Sequence, residues 1–214
     1  MPDTIPGEIV VHGIVGSPYM RIALLGLEEK RIPYRIAAMA MGASKAPAHL
    51  ARHPWGRIPV IEDGDLVLFE AQAILRYLER RQPSPRLIPL DIKAEARMNQ
   101  LMGVVDWYVF PQLNATITFN RVVAPHLGLP VNDEAVAAAL PQARKCVAAL
   151  AGLLQGRSPD HPDLADLMLG PHLSMFFRAP EGAEILREYP ALLAWLSAFQ
   201  SRPSMIATKT IFAD

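Results

Sequence analysis

The order of hydrophobic and polar positions divides the chain into an amino-terminal part with mixed signals and a longer helical part. Four short apolar runs in the amino-terminal part are typical of buried strands, at positions 9–11, 34–38, 58–61 and 66–69. Apolar residues recur at helical spacing over 18–30 and 70–81, and a weaker helical stretch covers 45–52. The strand-like runs at 58–61 and 66–69 flank Glu-Asp-Gly-Asp, a strong signal for a hairpin turn. The pattern predicts βαβ followed by αββα, with too few strands for a large doubly wound sheet.

Strand signals end near position 82. Prolines at 83, 85 and 89 make the segment 83–92 a semi-rigid linker rather than a regular element. Helical spacing then dominates, over 94–119, 132–154, 163–177 and 190–200. The sequence therefore predicts a small α/β domain over 1–82 joined to an all-helical domain over 93–214.

Composition and charge argue against several classes of protein. The 214 residues are 51% hydrophobic, and 21 basic residues balance 21 acidic ones, so the formal charge is zero. Balanced charge argues against a nucleic-acid partner and against a membrane-surface partner. No apolar run reaches the roughly 18 residues that a membrane-spanning helix needs, and residues 1–13 lack the pattern of a secretory signal. We expect a soluble cytoplasmic protein.

The residues that usually hold metals or activate nucleophiles form no recognisable motif. Cys146 is the single cysteine, and the six histidines have no compact ligand spacing, so we expect no metal site. The sequence has neither a glycine-rich phosphate loop nor a nucleophile elbow. Cys146 lies among Ala and Leu residues and is predicted to fill apolar space.

Ser17-Pro18 opens the first predicted helix. Ser is a favoured helix cap and Pro suits the first turn, so a purely structural role explains the pair. The alternative is functional, because a helix amino terminus attracts anions through its dipole and its free amides. A thiolate bound there would also receive a hydrogen bond from Ser17.

Ile58-Pro59 and Glu70 lie at the two ends of the predicted hairpin. Pro59 has no N–H, so a strand that begins there is expected at a sheet edge or a bulge. An edge would leave the Ile58 backbone free to pair with an extended peptide, and an ordinary edge-strand proline is the alternative. Glu70 is expected in the first turn of a helix, where an acid is stabilising by itself. Alternatively, Glu70 accepts a ligand ammonium while neighbouring amides bind a carboxylate.

Two cations and one helix signal complete the candidates. Lys45 and Arg57 flank the same region and could meet a second carboxylate, although solvated surface charges are the commoner explanation. Asp163 and Asp166 form a capping-box pattern, which we assign to folding rather than to catalysis.

Four motifs together resemble the soluble glutathione S-transferase family over nearly the whole chain. They are SPYMRIAL, HPWGRIPVIEDGDLVLFEAQAILRYL, DLADLML and YPALLAWLSAFQSRPS. Each motif is weak alone, but their order and spacing are specific. The resemblance implies a thioredoxin-like domain over 1–82, a linker over 83–92, a helical bundle domain over 93–214, and a homodimer.

The resemblance also implies a role for each candidate residue of the first domain. Ser17 matches the serine of theta-, zeta- and phi-like members that hydrogen-bonds the glutathione sulfur, and it is the predicted catalytic residue. Pro59 would be a cis-proline whose neighbour Ile58 pairs with the cysteinyl backbone of glutathione. The rest of the predicted glutathione site comprises Glu70 and Ala71 at the γ-glutamyl end, with Lys45 and Arg57 at the glycyl end.

The electrophile is expected between the loop 13–16 and the helical domain. Contacts with it are predicted for Ile14, Val15, Tyr108, Phe110 and Gln112. A core role is the alternative for the last three of these residues. Trp55 lies where some relatives insert an aromatic side chain into the partner subunit, and a core tryptophan is again the alternative.

The implied reaction joins the deprotonated sulfur of glutathione, a co-substrate, to a small hydrophobic electrophile. Two residues depart from the family pattern. Ala71 stands where the family usually has Ser, and the loss of a hydrogen bond worth roughly 1.5–3 kcal/mol predicts glutathione affinity lower by about tenfold to a hundredfold. His53 replaces the commoner Asn. The alternatives are another glutathione-dependent activity (isomerase, dehalogenase or peroxidase/reductase) and a non-catalytic binding or regulatory protein that kept the fold.

Overall fold

The computed structural model describes residues 7–210, so the outer ends of the two predicted domains lie outside the described residues. The chain forms two compact units, the first ending at Leu87 and the second beginning at Ile88. This boundary falls within the segment predicted as a linker.

The first unit contains a four-stranded mixed sheet. Its strands are β1 (Ile9–Gly13), β2 (Tyr34–Ala38), β3 (Val60–Asp63) and β4 (Leu66–Phe69). The spatial order is β2-β1-β3-β4, in which β1 and β2 are parallel and the other two pairs are antiparallel. The predicted hairpin is confirmed by the pairing of Asp63 with Leu66 across its turn.

Helices of the first unit supply the rest of its core. They are α1 (Pro18–Lys30), α2 (Pro47–Leu50), which follows a 3-10 turn at Ala43–Lys45, and α3 (Ala71–Arg81). Residues of β1, β3, α1 and α3 meet in one apolar cluster that includes Ile9, Val11, Met20, Leu27, Ile61, Ile74 and Leu78. The unit is a thioredoxin-like domain, as predicted.

A buried ion pair fixes the end of this unit. The Lys30 ammonium at the end of α1 contacts the Glu79 carboxylate of α3, and both side chains are almost completely buried. Lys30 also donates a hydrogen bond to the carbonyl oxygen of Pro85, and the Leu87 amide donates to Glu79 at 3.1 Å. The start of the predicted linker is therefore held against the domain by two buried charges.

The second unit is helical throughout its regular elements. The predicted helix 94–119 begins earlier, as α4 (Ile92–Val104), and is wound as a π-helix over Val105–Val123 before a last turn at α5 (Ala124–His126). The other elements are α6 (Asp133–Leu153), α7 (Leu164–Phe177), α8 (Pro180–Arg187), α9 (Pro190–Gln200) and α10 (Pro203–Ala207). The short helices α8 and α10 were not predicted. Within residues 7–210, no helix is both long enough and apolar enough to cross a membrane.

Helix α7 is the centre of the second unit and is buried on nearly every side. The predicted capping box is confirmed, because Asp163 accepts from the Asp166 amide while the Asp166 carboxylate accepts from the Asp163 amide at 2.9 Å. Burial raises the pKa of Asp166 to about 6. The Arg157 guanidinium lies 2.6 Å from Asp163 and 2.8 Å from Asp166, so the two acids at this buried helix start share a cation.

Candidate active site

Ser17 stands at the junction between β1 and α1. Its backbone is extended (φ −67°, ψ 132°), and its Oγ accepts a hydrogen bond from the Met20 amide at 3.5 Å, so the predicted helix cap is confirmed. The cap uses Ser17 only as an acceptor, which leaves the hydroxyl proton available for an anion. In the loop before Ser17, Ile14 is half-buried and Val15 is exposed.

The Ile58-Pro59 bond is cis. Contrary to the prediction, it does not begin an edge strand, because β3 is paired on both sides. The strand starts one residue later, at Val60, which is paired with His12 and Phe69. Pro59 is accommodated because it precedes the ladder, and the Ile58 backbone lies beyond the last paired residue of both neighbouring strands.

Glu70 does not occupy the first turn of α3, and that prediction was wrong. It precedes the helix with φ 71° and ψ 117°, in a left-handed region that is unfavourable for a residue other than glycine. Such strain costs on the order of 1–3 kcal/mol and is concentrated at ligand sites. The side chain is exposed, and the first intrahelical hydrogen bond of α3 runs from Ile74 to the Glu70 carbonyl oxygen. The amide of buried Ala71 is thus one of the unpaired amides at a helix start.

The two predicted cations, Lys45 and Arg57, differ in how their side chains are held. Lys45 Nζ donates to the carbonyl oxygen of Trp55 at 2.9 Å, so the ammonium is tied to the turn that precedes β3. The Arg57 side chain is exposed, while its carbonyl oxygen lies 2.7 Å from His49 Nε2. Lys45 lies 13 residues before Ile58 and Arg57 lies directly before it, along a turn that these contacts hold.

A cluster of rings connects the turn to β4, and sequence reasoning overlooked it. The His53 ring stacks on Phe69 with a centroid distance of 4.3 Å, and Trp55 meets each of them edge-on at 6.1 and 6.0 Å. The Trp55 side chain is 66% exposed, so it is not the core residue that was the alternative. The aromatic residues flanking the two turns in the sequence were the signal for this cluster.

The second unit contains a cavity of about 270 Å³ between α6 and its long helix, which consists of α4 and the π-helical segment Val105–Val123. Its lining residues are Val104, Tyr108, Gln112, Gln142, Lys145, Cys146, Ala149 and Leu153. Tyr108 and Gln112 are thus brought together, but Phe110 is not among the lining residues and instead meets the His172 ring edge-on. Cys146 is buried as predicted, and burial raises the pKa of its thiol to about 11.

Metal binding finds no support in residues 7–210, where no group of three or more His, Cys, Asp or Glu side chains could hold an ion. The described chemistry of the first unit is instead that of an anion and peptide site. It offers a hydroxyl at a helix start, a backbone segment outside the sheet, and a carboxylate beside unpaired amides.

Comparison with known proteins decides the family. Residues 16–81 match the model of the glutathione S-transferase amino-terminal domain, and residues 133–198 match that of the carboxy-terminal domain. Glutathione S-transferase 4 of Zea mays is 31% identical over 92% of this chain and 89% of its own length. The chain belongs to the glutathione S-transferase family. The predicted resemblance is therefore confirmed.

Solved structures of glutathione S-transferases share the fold. Glutathione S-transferase I from maize, in complex with an atrazine glutathione conjugate, is 28% identical with a TM-score of 0.80, covering 94% of this chain and 95% of that one. A theta-class enzyme from Xanthomonas axonopodis pv. citri, with glutathione bound, is 27% identical with a TM-score of 0.79, covering 95% and 97%. The two-domain fold class predicted from the sequence is confirmed.

Proposed function

We propose that this protein is a transferase that conjugates the glutathione thiolate to small hydrophobic electrophiles, as part of detoxification in the cytoplasm. The observation that carries the proposal is the position of Ser17, whose hydroxyl caps α1 and keeps a proton to donate. The solved structure of a glutathione S-transferase of the same fold is a complex with a glutathione conjugate, which supports this reaction type.

In the proposed complex, glutathione lies along the first unit from Glu70 to the turn before β3. The Glu70 carboxylate binds the γ-glutamyl ammonium, and the Ala71 amide binds the neighbouring carboxylate. The Ile58 backbone, which the sheet leaves unpaired, forms hydrogen bonds with the cysteinyl residue. Lys45 and Arg57 attract the glycyl carboxylate. Each contact matches a charged or backbone group of the tripeptide with one group of this chain.

The proposed mechanism uses the first unit to lower the pKa of the glutathione thiol. A free cysteine thiol has a pKa of about 8.5, and a helix amino terminus can lower such a pKa by one unit or more. Each unit corresponds to about 1.4 kcal/mol of extra stabilisation of the thiolate. The Ser17 hydroxyl donates to the sulfur, the thiol proton passes to solvent, and the sulfur then forms a bond to the electrophilic carbon. A displaced group leaves with the electron pair of its own bond.

The decisive experiment compares binding with turnover. We expect millimolar glutathione to raise the melting temperature and the protein to conjugate chlorodinitrobenzene. Ser17→Ala should reduce conjugation strongly while leaving glutathione affinity nearly unchanged, and Ser201→Ala, at the end of α9, is the matched control. Absence of thermal stabilisation would refute the enzyme proposal, and undiminished turnover of Ser17→Ala would reduce Ser17 to a helix cap. Glutathione binding without any conjugation would favour the non-catalytic alternative.

We further propose a homodimer in which Trp55 of one subunit enters the partner's cavity between its long helix and α6. The indole is exposed, and the cavity is larger than the roughly 150 Å³ that accommodates benzene in an engineered protein core. Trp55→Ala should dissociate the dimer in sedimentation experiments. It should also speed the reaction of Cys146, the single cysteine, with a thiol reagent, because Cys146 lines the cavity.

In an alternative proposal, the same cavity holds the electrophile against Tyr108 and Gln112. Ile14 and Val15, in the loop before Ser17, are the proposed electrophile contacts of the first unit. The protection of Cys146 from a thiol reagent distinguishes binding of Trp55 in the cavity from binding of the electrophile there. If Trp55 fills the cavity, protection depends on Trp55 and on protein concentration. If the electrophile fills it, a hydrophobic glutathione conjugate protects Cys146 in the Trp55→Ala variant as well.

A further inference from the structure

A buried histidine lies beside the residue proposed to hold the ammonium group of the ligand. His53 is only 2% exposed, and its ring stacks on Phe69 with an interplanar angle of 28°. Phe69 is the last residue of β4 and is followed directly by Glu70 in its left-handed conformation. His53 therefore packs against the side chain of the residue that directly precedes Glu70. The turn around it is fixed by hydrogen bonds from the His53 amide to His49 and from the Gly56 amide to His53.

The surroundings of the His53 ring disfavour its protonated form. Its Nδ1 atom is buried and has no hydrogen-bond partner among residues 7–210. A charge placed there without a partner would carry a desolvation cost. Burial lowers the pKa of His53, the Glu70 carboxylate raises it, and the positive groups of His49, Arg57 and Lys45 lower it further. Glu70 is thus the group that favours the imidazolium.

We propose that His53 couples ligand binding at Glu70 to the release of a proton. The inference rests on the proposed function, because it requires the ammonium group of glutathione to pair with Glu70. Once that pair forms, the carboxylate no longer favours the imidazolium, and a proton on His53 passes to solvent. His53 is a positioning residue that acts through Glu70, and it makes glutathione binding weaker in acid.

The direction and size of the effect follow from the two states of the ring. At pH 7.5 His53 is neutral with or without ligand, so binding involves no proton from this ring. As the pH falls, the ring of the free protein takes up a proton that binding must expel, so the affinity is lower in acid. A coupling of about one pKa unit lowers the affinity in acid by at most about tenfold relative to the affinity at pH 7.5.

The test uses S-methylglutathione, which has the charged groups of glutathione and no thiol that could titrate. Calorimetric titrations of the full chain at pH 7.5 and pH 5 give the affinities. Titrations at pH 5.5 in two buffers of different ionisation enthalpy give the number of protons released. Binding at both pH values with no proton release at pH 5.5 overturns the inference and leaves the proposed function intact. Absence of binding at pH 7.5 overturns the proposed function together with this inference.

Two variants test whether the proton released on binding comes from His53. His53→Asn should bind S-methylglutathione without releasing a proton at pH 5.5, whereas His49→Gln, which removes the neighbouring imidazole 6.4 Å away, should still release it. Proton release by His53→Asn, or its loss in His49→Gln alone, contradicts the assignment to His53. If His53→Asn does not fold, an NMR titration of the wild-type imidazoles decides, because the pKa of His53 must fall when S-methylglutathione binds.

Discussion

His172 should make the helical unit sensitive to acid. Its ring is completely buried in α7, and its Nδ1 lies 3.0 Å from Asn114 Oδ1. The amide nitrogen of Asn114 donates to Thr118 Oγ1 and to the His172 carbonyl oxygen, so its Oδ1 is an acceptor. The neutral His172 ring therefore carries its proton on Nδ1, and a second proton would place a full charge in the core.

The cost of that charge can be worked out from the two pKa values. Burial lowers the pKa of His172 to about 3, whereas a histidine in the unfolded chain has a pKa of about 6.5. Because the folded value is the lower one, this contribution to stability is complete above pH 6.5 and is lost as the pH falls toward 3. Over that range the unfolded chain binds a proton that the folded protein does not, which lowers the free energy of unfolding by about 1.4 kcal/mol per pH unit. The accumulated loss is about 2 kcal/mol at pH 5.

His172→Asn tests this number, because the asparagine keeps an amide donor near Asn114 and does not titrate. Urea unfolding, followed by the fluorescence of Trp107 and Trp195 in the helical unit, gives the free energy of unfolding at pH 7, 6 and 5. Carboxylates titrate alike in both proteins, so they cancel in the difference. The wild-type advantage should shrink by about 2 kcal/mol between pH 7 and pH 5. A difference that does not change with pH refutes the reasoning.

Three other predictions concern single contacts. Lys30→Met leaves Glu79 charged and unpaired in the core and should lower the free energy of unfolding by about 3–5 kcal/mol in urea, whereas adding Glu79→Leu should recover most of the loss. Asp163→Ala removes the cap of α7 and a contact with Arg157, and should cost about 1–3 kcal/mol by the same measurement; an unchanged midpoint would contradict it. Ala71→Ser should tighten glutathione binding about tenfold to a hundredfold in calorimetry, and an unaltered dissociation constant would show that the added hydroxyl makes no contact.

Local sequence signals were sufficient for elements whose ends are set by hydrogen bonds between neighbouring residues. Ser17-Pro18 fixed the start of α1, the Asp163 and Asp166 pair fixed the start of α7, and the turn before Leu66 fixed the hairpin. Each signal acts within four residues through its own hydrogen bonds. Helix α10 was overlooked because five residues are too few to show a helical period, and α8 because only Ile185 and Leu186 among its buried residues are large and apolar.

Predictions failed where the structure depends on contacts distant in the sequence. The place of β3 between β1 and β4 could not be read from Pro59, because strand order is a tertiary property. The left-handed backbone of Glu70 has no sequence signal, since glutamate rarely adopts it. Phe110 lies apart from the cavity lined by Tyr108 and Gln112 for a local reason, because residues two apart lie on opposite sides of a helix whereas residues four apart share a face. The candidate glutathione residues stay predictions until a complex is measured.

The contacts of Lys30 and Glu79 have a consequence for any transplant of the amino-terminal half onto another protein. Its last regular element ends at Arg81, yet the Pro85 carbonyl oxygen and the Leu87 amide lie against the two buried charges. A graft cut at position 82 would keep the ions and lose both of these backbone groups. The transferable piece therefore has to extend through Leu87, because the tail that looks like a spacer completes the interior.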